Sequence, residues 1–170
     1  MKQDTLIVID MQNDFLTGSL SNPDGEKLIE PIKEKIENFN GKIIFTQDSH
    51  DKNYLETNEG KHLPVEHCIK NTLGWGIPSS LVIAGCKKYS HFVEKTTFGA
   101  LELYKELPEE GNIYICGVCT DICVVSNALI LKSQLPEREI YIFKDLCAGT
   151  TKDNHEAALQ TMRSCQINVI

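Results

Sequence analysis

"NIYICGVCTDICVVSNAL", residues 112–129, joins an apolar, β-branched run to a stretch with helical spacing through a short polar hinge. The run 112–118 reads as a buried strand. Ile122, Val125 and Leu129 fall on one face of a helix that starts near Thr120 or Asp121, both acceptable capping residues. The same change of period recurs along the chain. Apolar runs at 5–10 (TLIVID), 42–48 (KIIFTQD), 90–96 (SHFVEKT) and 139–145 (EIYIFKD), and a short one at 167–170 (INVI), read as strands. Helical spacing separates most of them, at Leu28, Ile29, Ile32 and Ile36, at Ala100, Leu101 and Tyr104, and at Ala157, Ala158 and Met162. Continuous apolar strands need cover on both faces, and parallel neighbours need a helical crossover. The pattern predicts a doubly wound α/β domain with a parallel sheet.

A chain of 170 residues fits one domain, 1–170, large enough to bury a real core. Residues 49–88, rich in Asn, Glu, Gly, His and Pro, are longer than a simple crossover, and long loops in compact domains tend to carry function. The net charge of -7, with no block of lysine or arginine, argues against a nucleic-acid partner and an anionic membrane. The first apolar run, "LIVI", is too short for a signal-peptide core or a membrane span and is followed at once by Asp10. A cytoplasmic protein is expected, and its odd count of seven cysteines is expected to stay reduced.

In open α/β sheets ligands bind beyond the carboxyl ends of the strands, near the point where strand order reverses. Reactive side chains cluster at those ends here. Asp10 closes the first predicted strand, Asp48 the second and Lys95 the third, while Cys119 and Cys123 follow the fourth. A cysteine reacts as thiolate, so it needs a base for its proton and positive charge for the anion, and a helix N-terminus helps. Cys123, Asp10 and Lys95 supply those parts, although a lone cysteine in an apolar helix is more often core. A second group lies in the long loop: Asp48 and His50 in "TQDSHD", Glu59 in "TNEGKHLP" and His67 in "LPVEHC". Carboxylate and imidazole donors suit zinc, manganese or iron. A polar loop with solvated histidines is the alternative.

The segments "VIDMQNDF" (8–15), "TQDSH" (46–50), "LPVEHCIKNTLGW" (63–75), "VEKTTFGA" (93–100) and "GVCTDICVVSNAL" (117–129) together resemble the isochorismatase-like cysteine hydrolases, within them the nicotinamidase/pyrazinamidase group. The resemblance implies a Rossmann-like, three-layer α/β fold with a mostly parallel sheet of about six strands. It implies catalytic roles for Asp10, Lys95 and Cys123, and an oxyanion hole from the amides of Cys119 and Cys123 beside a cis Val118–Cys119 peptide. Phe15 and Phe98 match aromatic positions that pack on the substrate ring. Asp48, His50 and His67 match the metal ligands, with Glu59 near a further ligand position, for a divalent metal, zinc first and iron or manganese next. Leu63 and Pro64 stand where many nicotinamidases carry Trp or Phe. The activity implied is hydrolysis of nicotinamide to nicotinate and ammonia by a homo-oligomer whose partner is a small amide. Two other readings stand beside it: the same thiol chemistry on another small amide or carbamoyl compound, and a non-catalytic metal or thiol redox protein using Cys119 and Cys123.

The remaining residues have plainer readings. Cys116 is expected to pack in the fourth strand and Cys165 in the last helix, Cys68 to be a neighbour of His67, and Trp75 to anchor a turn. His62, His91 and His155 have no evident partners in sequence, and Asp145 resembles no catalytic position.

Overall fold

The computed structural model describes residues 2–170. Its elements follow in order as β1 (Thr5–Ile9), α1 (Asn13–Leu16), α2 (Pro23–Glu26), α3 (Ile29–Asn38), β2 (Lys42–Asp48), α4 (Asn58–His62), α5 (Ser79–Cys86), β3 (His91–Lys95), β4 (Ile113–Val118), α6 (Val125–Gln134), β5 (Ile140–Ala148), α7 (Lys152–Ser164) and β6 (Asn168–Val169). The six strands form one sheet in the order β3-β2-β1-β4-β5-β6, and every pairing is parallel. Strand order therefore reverses between β1 and β4, the place where an open α/β sheet holds its ligands.

Right-handed crossovers put helices on opposite faces when the chain winds outward in two directions from the centre. Accordingly α3 packs with α5, and α6 with α7. The central strands are largely apolar: Leu6, Ile7, Val8, Ile9, Ile43, Ile44, Phe45, Ile113 and Ile115 are fully buried. Ile32 and Ile36 of α3 and Leu159 and Met162 of α7 close the two sides. This is the three-layer arrangement the sequence predicts. Among the described residues no helix is long and apolar enough to cross a membrane.

Several local expectations need correction. The spacing at Ala100, Leu101 and Tyr104 yields only a 3-10 turn, Leu103–Glu106. Its room is limited on one side by a loop in which Ala100 N–H donates to Asn127 Oδ1 (2.9 Å), and on the other by Pro108, before which Leu107 is extended. β5 runs three residues past the predicted Asp145, because a register shift beyond Ile115 lets Cys147 and Ala148 pair with Gly117 and Val118. Neither Thr120 nor Asp121 caps a helix. The chain enters a wide π turn, Thr120–Val124, at Cys119. Thr120 Oγ1 instead meets His155 Nδ1 (2.8 Å), and Asp121 Oδ1 accepts from Thr150 N–H (2.8 Å). Cys165 lies exposed at the end of α7 rather than packed in it.

Gly117 shows why β4 can lie against β1. Its φ is 119°, and a Cβ there would collide with the Ile9 carbonyl. Gly117→Ala is expected to lower stability by about 2 kcal/mol or more, read as a lower urea midpoint with unchanged slope.

Candidate active site

The site begins where β1 stops. Asp10 follows Ile9 with φ at 45°, a left-handed backbone that few non-glycine residues adopt outside functional sites. Its N–H donates to Thr46 Oγ1 (3.1 Å), and the Thr46 hydroxyl donates to Asp10 Oδ1 (2.6 Å). Lys95 ends β3, where it is the Cα partner of Asp48 at the end of β2. Partners across parallel strands point to the same face, and Lys95 reaches inward from there. Its Nζ lies 2.7 Å from Asp10 Oδ2, 3.2 Å from Asp48 Oδ1 and 3.5 Å from Cys123 Sγ. One ammonium, on a side chain only 1% exposed, thus meets two carboxylates and a thiol.

Cys123 sits in the π turn that links β4 to α6, after a cis Val118–Cys119 peptide. The Cys119 carbonyl accepts from both Ile122 N–H and Val124 N–H (3.1 Å each), which widens the turn and brings Cys123 into the buried site. Burial pushes the Cys123 thiol well above its ordinary value; the Asp10 charge pushes it further and Lys95 offsets only part. Burial and Asp10 thus both favour the thiol over the thiolate. Burial also raises Asp10, against the pull of Lys95 and with the push of Asp48. Lys95 goes up despite its burial, because Asp10, Cys123 and Asp48 all favour its charge. A carboxylate made more basic next to a neutral thiol is suited to take that proton.

Beside this centre Asp48, His50, Glu59 and His67 bring one donor atom each within 4.8 Å of all the others. His50 Nε2 lies 2.9 Å from Asp48 Oδ2 and 3.8 Å from Glu59 Oε1, while His67 Nε2 lies 3.6 and 3.7 Å from the same two atoms. Donors at zinc bond lengths in a tetrahedron stand about 3.3–3.6 Å apart, so the donor set suits such an ion once the 2.9 Å pair opens and the widest separations, up to 4.8 Å, close. His67 Nδ1 donates to the Val65 carbonyl (2.9 Å), which leaves the Nε2 lone pair turned to the cluster. Glu59 arrives on α4, whose first turn is capped by Thr57 Oγ1 accepting from Gly60 N–H (3.0 Å). Burial would raise Asp48, but His50, His67 and Lys95 hold it well below the usual carboxylate range.

The proposed aromatic walls differ. Phe15 packs on the His67 ring with centroids 5.5 Å apart, so it borders the cluster. Phe98 is 48% exposed on the loop after Lys95, and its carbonyl rather than its ring is tied inward, by Asn127 Nδ2 (3.2 Å). Trp75 anchors a turn as expected. Its Nε1 donates to Ser49 Oγ (2.7 Å) and its carbonyl accepts from Gln12 Nε2 (2.9 Å).

Four supporting residues escaped the sequence reading. Thr46 holds Asp10. Gln12 brackets Asp48, donating to its carbonyl (2.9 Å) and accepting its N–H (2.7 Å). Asn127 joins the Cys123 carbonyl (2.8 Å) to the loop at Phe98 and Ala100. Tyr54 packs edge-on against both His50 and His67, with its hydroxyl on the Leu63 carbonyl (2.9 Å). Thr46 and Asn127 stand out in sequence as polar side chains beside apolar runs, whereas Gln12 and Tyr54 lie among other polar residues and carry no local signal.

Comparison with known proteins covers the same span. The model of the isochorismatase domain family matches residues 4–170. An uncharacterised isochorismatase family protein of Bacillus subtilis is 30% identical over 91% of this chain and 91% of its own. The nicotinamidase of Saccharomyces cerevisiae is 28% identical over 74% of this chain and 79% of its own. The crystal structure of a pyrazinamidase of Pyrococcus horikoshii in complex with zinc superposes with a TM-score of 0.82 at 29% identity, covering 99% of this chain and 98% of that one.

Proposed function

The chain belongs to the isochorismatase family, in its nicotinamidase/pyrazinamidase-like group and hence among hydrolases of amide C–N bonds, and from that premise we propose that it hydrolyses nicotinamide to nicotinate and ammonia with a divalent metal, zinc first. The observation that carries this reading is the position of Lys95 Nζ, within 3.5 Å of Asp10, Asp48 and Cys123 at once. It sets a thiol with its base directly against a four-residue donor cluster. Relatives named as nicotinamidases or pyrazinamidases add the substrate class.

In this proposal Asp10 accepts the Cys123 proton as sulfur attacks the amide carbon, with Lys95 holding the developing negative charge. The amides of Cys119 and Cys123 receive the tetrahedral oxyanion. Asp10 returns its proton to the nitrogen, the C–N bond breaks and ammonia leaves a thioester on Cys123. Asp10 then takes a proton from water, whose oxygen attacks the thioester carbonyl; the acid departs and the thiol is restored. Asp48, His50, His67 and Glu59 would hold the metal, which supplies a Lewis-acidic point of attachment for the substrate. Phe15, at the edge of that cluster, and Phe98 would pack on the ring.

The test is direct. Metal-replete protein with nicotinamide is expected to release nicotinate and ammonia in equal amounts, and chelation is expected to remove at least about 90% of the rate, restored by added zinc. No product from the replete protein would end the nicotinamide reading. Leu63 and Pro64, where many nicotinamidases carry an aromatic residue, favour one second reading: turnover of another small amide or carbamoyl compound by the same thiol.

A further inference from the structure

Thr46 is buried on β2 with its hydroxyl spent entirely on Asp10. Phe45 is the register partner of Val8, so Thr46 stands level with Ile9 and next to the residue that follows it. Resting on the reading that Cys123 is the nucleophile and Asp10 its base, we propose that Thr46 is a positioning residue that fixes the orientation in which the Asp10 carboxylate exchanges a proton with the thiol.

A hydroxyl has one hydrogen and two lone pairs. At Thr46 one lone pair accepts the Asp10 N–H (3.1 Å), and the hydrogen is directed to Asp10 Oδ1 (2.6 Å). One lone pair of Oδ1 and the Asp10 N–H are thereby tied to the same hydroxyl. The other oxygen is different. Oδ2 makes no aligned hydrogen bond among the described residues, lies 2.7 Å from Lys95 Nζ, and belongs to the carboxylate facing the Cys123 thiol. Tethered at Oδ1 and at its N–H, Asp10 keeps one carboxylate orientation beside Lys95 and the Cys123 thiol, so that proton exchange with sulfur meets it already aligned. The same hydroxyl also pins the N–H of a residue whose φ is 45°, which keeps the carboxylate from swinging with its backbone.

Two substitutions separate this role from core filling. Thr46→Val keeps the shape and removes the hydroxyl; Thr46→Ser keeps the hydroxyl and removes a methyl. Under the proposal Val lowers kcat about 10²-fold with KM within about threefold, while Ser stays within about threefold of wild type in both. The rate of Cys123 carbamidomethylation by iodoacetamide, mapped by mass spectrometry, should fall with Val and hold with Ser, whatever the melting temperatures do. That second readout needs no amide substrate, so it still reports on Thr46 if nicotinamide is not turned over. An Asp10→Asn control tests the footing: a pH profile of Cys123 alkylation unchanged from wild type would show that Asp10 does not share the thiol's proton, and would remove the proposal with it. Retained kcat and alkylation in Val, or a loss in Ser as large as in Val, would also overturn it.

Discussion

Cys123→Ala is expected to lower kcat for the amide by at least about 10⁴-fold, whereas Cys119→Ala keeps it within about tenfold. The two thiols sit four residues apart in one turn, yet their surroundings differ. Cys123 Sγ lies 3.5 Å from Lys95 Nζ and faces Asp10, so its proton has a destination and its anion a counter-charge. Cys119 enters the proposed chemistry through its backbone. Its own thiol is half-buried and pushed up by burial together with Asp121, opposed by an Asn22 hydrogen bond rather than by an ammonium such as the one Lys95 sets 3.5 Å from Cys123 Sγ. The measurement is steady-state turnover of both variants at matched metal content, with circular dichroism to show that each is folded. Equal loss in both would favour the redox or metal readings of the pair. All seven cysteines are free thiols in the structure, and a thiol titration unchanged by mild oxidation would speak against a 119–123 switch.

Lys95→Met should cost both activity and stability. The ammonium is buried between Asp10 and Asp48, and removing one partner of a buried ion pair strands the other charge at a cost of about 3–5 kcal/mol. For a chain of this length that corresponds to a drop of roughly 10 °C in Tm. Turnover should fall at least about 10³-fold, since the thiolate loses its counter-charge and Asp10 its ion-pair partner. The double variant Lys95→Met with Asp10→Asn discriminates between the two effects. It removes the Asp10 charge and leaves Asp48 with His50 and His67, so much of the Tm should return while turnover stays lost. A single variant that melts with wild type would show that Asp10 and Asp48 do not depend on Lys95 in the folded state.

The architecture was open to reading because burial on both faces makes parallel strands continuously apolar. The runs at 5–10, 42–48 and 112–118 match β1, β2 and β4 to within a residue at each end. Asp10, Asp48 and Lys95 were equally visible, as charges placed at the ends of such runs. Where patterns were weaker the reading failed. Ala100, Leu101 and Tyr104 share a helical face, but the long-range bond from Ala100 to Asn127 and the stop at Pro108 leave space only for a 3-10 turn. Thr120 and Asp121 look like capping residues, yet their side chains find better-placed partners on the β5–α7 segment, His155 and Thr150.

By itself, then, the sequence determined the strand-helix alternation, the parallel sheet and the identity of the groups that can react, because these follow from periodicity and side-chain chemistry along a local stretch. Only the tertiary structure decided that β1 and β4 are neighbours at the switch point, and that Glu59 on α4 reaches the atoms of His50 and His67. It alone put Lys95 at the junction of two clusters and Thr46 on Asp10. The polar contacts of Lys95 and Thr46 join residues up to 85 positions apart (Asp10 to Lys95), and no local pattern encodes which buried polar groups will satisfy one another. The opening stretch 112–129 shows the division: its strand and helix are written in its spacing, but the separate roles proposed for Cys119 and Cys123 come from what the rest of the fold brings against them.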